Sequence, residues 1–340
     1  MTIEVLPFDP ADQGDVEQAY RIRVASLAAA APDFPAPSRR SFLTALRHPL
    51  PGHEFQRFLA RLGGVPAGFA VLELPLLDNT GNAEVELDVH PDHRRRGLGR
   101  ALHQRVVAAA CDRGRKWLVG EAVSGLPGAP SRDPAGAGFA RAMGARVALS
   151  EVRRRLEVPA VDWPALDRTV AAAWQRASGY SLLRWVGPTP AEHLADIAYL
   201  NSRLNTDAPT GELAWEAEKL DAERQAAVER ALITERGRPA YGVAARHDAT
   251  GRLVAWTQLV RAESSAWHAL QQITLVDPEH RGHRLGLIIK IENLRYAVAG
   301  EPELRAIDTW NAAVNDHMIS INEILGYRPI DAWEAWQLPL

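Results

Sequence analysis

The chain has 340 residues, 46% of them hydrophobic and 24% charged, with a formal net charge of -3 and a pI near 6.4. The length exceeds one average domain and predicts two. The slightly acidic balance argues against a nucleic-acid coat or a membrane-attracted surface, because either needs a cationic excess. The single cysteine, Cys111, excludes an intrachain disulfide framework and cysteine-rich zinc sites, and its setting VVAAACDRG places it as a small buried helix residue. The start MTIEVLPFDP lacks the pattern of a signal peptide and no apolar run is long enough for a bilayer, so a cytoplasmic chain without a membrane partner is expected.

Read in chain order, the first half predicts a strand at IEVLPF, helices at VEQAYRIRVASLAAA and SFLTALRH, and a hairpin of EFQRFLARL with AGFAVLEL. A third long strand, AEVELDVH, leads through HPDHRRRG into the helix LGRALHQRVVAAACDR. The strand KWLVGEAV, a loop over residues 124–138, the helix GFARAMG and the strand RVALSEVRRRLEV follow. The second half repeats the order with YSLLRWV, PAEHLADIAYLNSRL, DAERQAAVERALITER, AYGVAARH, RLVAWTQLV, WHALQQITLV, LGLIIKIENLRYAVAG, RAIDTW, VNDHMISINEILG and IDAWEAWQL. Strands mixed with helices in this order define an α/β (α+β) class.

The repetition is visible in residues as well as in elements. VHPDHRRRGLGRAL, from Val89, and VDPEHRGHRLGLII, from Val276, share Val, Pro, His, Arg, Leu and Gly at an offset of 187 positions. At the same offset Gly64 faces Gly251 in the turn before a strand. A duplicated domain follows, with residues 1–157 as the first copy, 158–178 as a linker holding two prolines and a short helix, and 179–340 as the second.

A strand ending at His-Pro, then arginines and glycines, then a helix, directs several unsatisfied backbone N–H groups and the positive helix end at one point. That geometry suits an anion. Gly97 and Gly99 let a diphosphate approach the backbone, while Arg94, Arg95, Arg96 and Arg100 offer charge-assisted hydrogen bonds around it. Neither the triphosphate loop nor the early dinucleotide fingerprint has this spacing. Residues 281–284 supply Arg281, Gly282, His283 and Arg284 in the second copy, before Leu285 and Gly286, but Arg284 stands where Gly97 stands, so this loop could be tighter or blocked.

The run from Arg94 through Gly97 and Leu98 to Gly99, after the strand VELDV, resembles the coenzyme A diphosphate loop of the GNAT superfamily of N-acetyltransferases. Its recurrence makes the whole chain similar to tandem GNAT proteins, a group that includes mycothiol synthase and acetyltransferases of actinobacterial secondary metabolism, among them antibiotic biosynthesis. The resemblance implies two tandem GNAT folds, each a mixed, mostly antiparallel sheet flanked by helices. It implies acetyl-CoA or another acyl-CoA as cofactor, a small-molecule amine as acceptor, and an assembly that can extend to a homodimer. The third long strand is then splayed from its neighbour by a bulge, and pantetheine lies in the opening against backbone groups of Leu87 and Val89, and of Val276 in the second copy. In many members a glutamate on that strand is the base, a place that falls on Glu84. Counting at the same offset reaches Gln271, which cannot be a base.

The tyrosine acid of such enzymes is missing, with Ala140 and Asn322 at its two places. Asn322 is then the donor near the thioester, and Asn311 reaches the pantetheine. In relatives such as mycothiol synthase the C-terminal half is the active one, whereas here the better loop and Glu84 lie in the N-terminal half. A second reading is an acyl-CoA-holding protein with little transfer activity. Nucleic-acid binding through RRRGLGR lacks a broad basic face, the histidines flanking the loops belong to separate halves and make no metal site, and the ten tryptophans fill the core or line a groove.

Overall fold

The computed structural model describes residues 1–340, the side chain of Asn205 excepted. Two compact units account for the chain: Met1–Val152 with Thr210–Glu216 and Ile330–Leu340, and Arg153–Pro209 with Ala217–Pro329. The expected division at residues 157 and 179 follows chain order, whereas the units exchange segments. The final strand joins the first unit, and the end of the first half's last strand joins the second.

The first unit begins with β1 (Ile3–Pro7), α1 (Gln13–Ala30), α2 (Arg39–Arg47), β2 (His53–Leu62) and β3 (Val65–Pro75). Asp12 and Ser38 cap the helices by accepting from backbone N–H groups of the first turn, which offsets the amide donors that any helix start leaves unpaired. There follow β4 (Asn82–Val89), α3 (Leu98–Asp112), β5 (Trp117–Gly125), α4 (Ala135–Ala142) and β6 (Arg146–Glu157). The predicted loop at 124–138 is shortened from both sides, because β5 runs on to Gly125 and α4 already starts after Pro134. Strand order is β1-β2-β3-β4-β5 and then the chain's last strand. One sheet face packs its alternate apolar side chains, Phe58, Ala70, Leu72 and Ala83, against Leu98, Leu102 and Val106 of α3. Burying such side chains stabilises each by roughly 1.5–3 kcal/mol. Cys111, expected to be buried, is exposed: α3 turns Leu102, Val106, Ala109 and Ala110 to the sheet and Cys111 to water.

The second unit contains α5 (Trp163–Trp174), β7 (Tyr180–Val186), α6 (Leu194–Ser202), α7 (Leu204–Asp207), α8 (Ala222–Glu229, continued by a π turn to Thr234), β8 (Ala240–His247), β9 (Leu253–Arg261), β10 (His268–Val276), α9 (Leu285–Gly300), β11 (Ala306–Ala312) and α10 (Asp316–Leu325). Its strand order is β7-β8-β9-β10-β11-β6. The segment read as a linker forms α5, whose Leu166, Val170 and Ala173 join the core around Leu285, Ile288 and Ile291 of α9. It is therefore an integral helix of this unit. β12 (Arg328–Pro339) leaves the second unit and pairs antiparallel with β5, from Asp331 opposite Gly125 to Pro339 opposite Trp117. Segment 210–216 also belongs to the first unit, held by Glu212 N–H donating to the Ala148 carbonyl at 2.7 Å and Asn82 donating to the Ala214 carbonyl at 2.8 Å. Among the described residues no helix is long and apolar enough to cross a membrane. Among the tryptophans of the second half, Trp256 and Trp336 are buried, Trp310 and Trp333 are half-buried, and Trp267 is exposed.

Candidate active sites and the family they define

Each unit opens its sheet at one place. In the first, β4 and β5 run parallel and pair only from Asn82–Trp117 to Val85–Gly120. Beyond that the strands part, while β4 stays paired with β3 as far as Val89 opposite Gly68. Leu87 and Val89 lie on this parted stretch, their side chains packed toward the α3 core. In the second unit β10 and β11 pair only from His268–Ala306 to Leu270–Asp308, and Val276 lies on the parted stretch opposite Ala255 of β9.

The expected bulge is present in the second unit alone. Register between β10 and β9 slips between Gln271 and Ile273, leaving Gln272 as an extra residue, whereas β4 pairs with β3 without a slip. Gln271 staples the bulge, its Nε2 donating to the Gln258 and Ile273 carbonyls, each at 2.8 Å. The slip also corrects the match made by counting. Glu84 pairs with Glu73 and Val119; the residue that pairs with Val260, 187 beyond Glu73, and with Asp308 is Leu270. Leu270, not Gln271, thus takes the place of Glu84.

At the end of each parted strand the two loops adopt one backbone. A short 3-10 turn, Pro91–His93 or Pro278–His280, is followed by Arg94 or Arg281 in extended conformation. Arg94 Nε donates to the Val89 carbonyl at 3.3 Å and Arg281 Nε to the Val276 carbonyl at 3.4 Å. Each guanidinium is then held by an aspartate, Asp133 for Arg94 and Asp207, at 2.9 Å, for Arg281. These two arginines brace the loop against its strand. Next come two left-handed residues, Arg95 (φ 61°) and Gly97 (φ 91°) in the first loop, Gly282 (φ 86°) and Arg284 (φ 60°) in the second. Each loop fills one such position with glycine and the other with arginine, in opposite order. Arg284 takes the left-handed conformation itself. That conformation costs an L-residue about 1–2 kcal/mol, so Arg284→Gly is expected to raise stability by about 0.5–1 kcal/mol, read as a higher melting temperature.

The helix starts are alike. Leu98 and Leu285 are buried anchors, and the first intrahelical bonds are Ala101 N–H to the Gly97 carbonyl and Ile288 N–H to the Arg284 carbonyl. The amides of Leu98, Gly99 and Arg100, and of Leu285, Gly286 and Leu287, precede those bonds and are the orphan donors of a helix start. A Cβ on Gly99 would meet the Phe139 ring at 3.1 Å, whereas one on Gly286 would find ordinary contacts. Arg95, Arg96 and Arg100 are exposed beside the first helix start. His283 is tied back, its Nδ1 2.9 Å from the Arg176 carbonyl. Orphan amides, left-handed turns and exposed cations at one point fit a diphosphate.

Chemistry-bearing side chains stand at the apex of the first opening. Glu84, Glu86 and Asp88 alternate along one face of β4, and Arg23 of α1 bridges Glu86 and Asp88, each at 3.0 Å. Glu121, on the first β5 residue past the last pair, lies near Glu86 and Glu151. Glu121 is exposed to solvent, yet densely surrounded by protein. Lost solvation, then the Glu151 carboxylate, and less strongly Glu86, outweigh the pull of Arg23 and push Glu121 up to about 7. Sequence reasoning passed over Glu121; the available signal was one carboxylate in the otherwise apolar run WLVGEAV. Counting from the paired residues, the second unit has Leu270 in place of Glu84 and Trp310 in place of Glu121.

At the second opening the polar groups lie on another face. Asn322, on α10, is fully buried; its amide receives a hydrogen bond from Lys290 Nζ and donates to Asn311 Oδ1. Its amide is engaged at both ends, which leaves the half-buried Asn311 as the residue that reaches the opening.

A family description for acetyltransferases of the GNAT family matches residues 23–123. Over 99% of this chain and 98% of the other, the chain is 32% identical to a solved tandem GNAT protein from the clavulanic acid biosynthesis pathway, with a TM-score of 0.83. The chain belongs to the GNAT family of N-acetyltransferases, in its tandem form. Among curated proteins it is 27% identical over 277 residues to the mycothiol acetyltransferase of Salinispora tropica, covering 81% of this chain and 78% of that one. It is also 48% identical over 73 residues to the mycothiol acetyltransferase of Actinosynnema mirum, covering 20% and 24% of the two chains. A GCN5-related N-acetyltransferase from Sphaerobacter thermophilus shares the fold at 15% identity, with a TM-score of 0.63.

Proposed function

We propose that the protein transfers an acetyl group from acetyl-CoA to the amine of a small molecule by direct attack in a ternary complex, with the chemistry in the first unit. The observation that carries this reading is Glu121 at the apex of the β4–β5 opening, on the sheet face that also bears Glu84 and Glu86. In the second unit leucine and tryptophan take the places of Glu84 and Glu121. Bound acetyl-CoA supplies the activated acyl group. Leu98, Gly99 and Arg100 amides with Arg95 and Arg96 hold its diphosphate, and Leu87 and Val89 offer backbone groups to the pantetheine. The acidic face draws a cationic amine, and Glu121 takes its proton. Glu84, inside the paired stretch opposite Val119 and so two residues back from Glu121, is the alternative base. The second loop, with Gly282, Arg284, Leu285 and Gly286, is a second cradle for acyl-CoA. Two relatives named mycothiol acetyltransferases and one placed in clavulanic acid biosynthesis support a small acceptor.

Thiol release from acetyl-CoA over a panel of small amines tests the reading. The expected outcome is amine-dependent release by the parent, its loss in Arg94→Glu, and its retention in Arg281→Glu. Loss only in Arg281→Glu would move the chemistry to the second unit, and no release with any amine would overturn the proposal.

A further inference from the structure

The helix α9 carries a lysine that the acyl-transfer reading does not use. Lys290 sits in the run LIIKI, where Leu287, Ile288, Ile289 and Ile291 are all buried, and is itself 1% exposed. An ammonium in such surroundings costs several kcal/mol unless something holds it. Nζ lies 5.3 Å from the centre of the Tyr327 ring, a cation–π distance, and donates to Asn322 Oδ1. Asn322 Nδ2 donates in turn to Asn311 Oδ1.

The order of atoms in this chain follows from the first donor. An ammonium has three N–H donors and no acceptor, and an amide has one acceptor oxygen and one donor nitrogen. Lys290 must therefore meet the oxygen of Asn322, whose nitrogen can then only donate, so Asn311 answers with oxygen. What remains at the partly exposed end is the Asn311 NH2 group, three residues beyond the last β10–β11 pair. If Lys290 were apolar, both amides could turn over and present oxygen instead.

We propose that Lys290 is a positioning residue of the second unit: it fixes the direction of the Asn322 and Asn311 amides so that Asn311 presents N–H donors to a carbonyl oxygen of the acyl-pantetheine arm. The inference rests on the reading of the second loop as an acyl-CoA cradle. Lost solvation pushes Lys290 down to about 7, so the ammonium that sets the direction is present below neutrality and is lost above it. Of the titratable groups around it, Tyr327 stays a neutral phenol, since burial and then Asp308 raise it. Asp308 is itself tied to Arg153, Arg155 and His268.

The test is calorimetric binding of acetyl-CoA to the full chain carrying Arg94→Glu, which confines binding to the second loop. Affinity is expected to weaken about tenfold between pH 6 and pH 8, with proton uptake on binding near neutrality, the size expected for one oriented hydrogen bond. Adding Lys290→Met should leave the weak affinity and remove its share of the pH dependence; the residual slope belongs to the coenzyme phosphates. Asn311→Ala, at a half-buried site and with its melting temperature checked against the parent, should weaken binding equally, and the double variant no further. Binding by Lys290→Met that matches its parent in strength and pH dependence would overturn the proposal alone. Absence of binding in Arg94→Glu at every pH would overturn the second cradle and the proposal with it.

Discussion

Replacing Asp308 by alanine is expected to lower the stability of the second unit by about 3–5 kcal/mol, the range for removing one partner of a buried ionic cluster. The carboxylate is fully buried and accepts from Arg153 at 3.0 Å, from Arg155 at 2.7 and 2.8 Å, and lies 2.9 Å from His268 Nε2. Alanine would leave two guanidinium groups facing an empty place in the interior. Burial works to raise this carboxyl, but the bonds from Arg155 and His268 prevail and hold it at about 2. A depressed carboxyl contributes stability that is complete above its unfolded value, near 4, and is lost as pH falls toward 2. Urea unfolding at pH 7 measures the loss. Parent and Asp308→Asn compared between pH 4 and pH 2 should converge, because the asparagine variant has no charge to lose. A loss below about 1 kcal/mol in Asp308→Ala would mean that the arginines find other partners.

Glu121→Gln is expected to lower kcat by about 10²–10³-fold, within the usual contribution of a positioned base. The parent's kcat should rise with pH through about 7, as Glu121 loses its proton, because only the carboxylate can accept one from the amine. The glutamine variant should lose that limb with little change in KM for acetyl-CoA, since the diphosphate cradle is elsewhere. A pH limb that persists in Glu121→Gln and vanishes in Glu84→Gln would transfer the role to Glu84.

Much of this was legible in the residues. The strand, proline, arginine, glycine and helix order of the first loop recurs at 187 residues' distance because the domain is duplicated, and it is legible because the residues that form a helix start lie close together in the chain. In the second loop Arg284 stands where a glycine stands in the first, and the backbone shows two left-handed positions in each copy, one of them held by arginine. Counting failed at Gln271. A bulge inserts one residue without leaving any compositional mark, and the matches upstream of it on the same strand shift to the opposite sheet face.

Periodicity, turn chemistry and the doubled arginine-glycine segment determine the mixed α/β class, the duplication and the place of the two loops at the helix starts, because each depends on residues close together in the chain. Tertiary structure alone decided that the last strand closes the first unit, that Glu121 rather than a lone β4 carboxylate stands at the apex, and that Lys290, Asn322 and Asn311 join in one hydrogen-bonded chain. These depend on pairing and burial between residues far apart in sequence, where a carboxylate or a lysine changes character only once protein replaces the water around it.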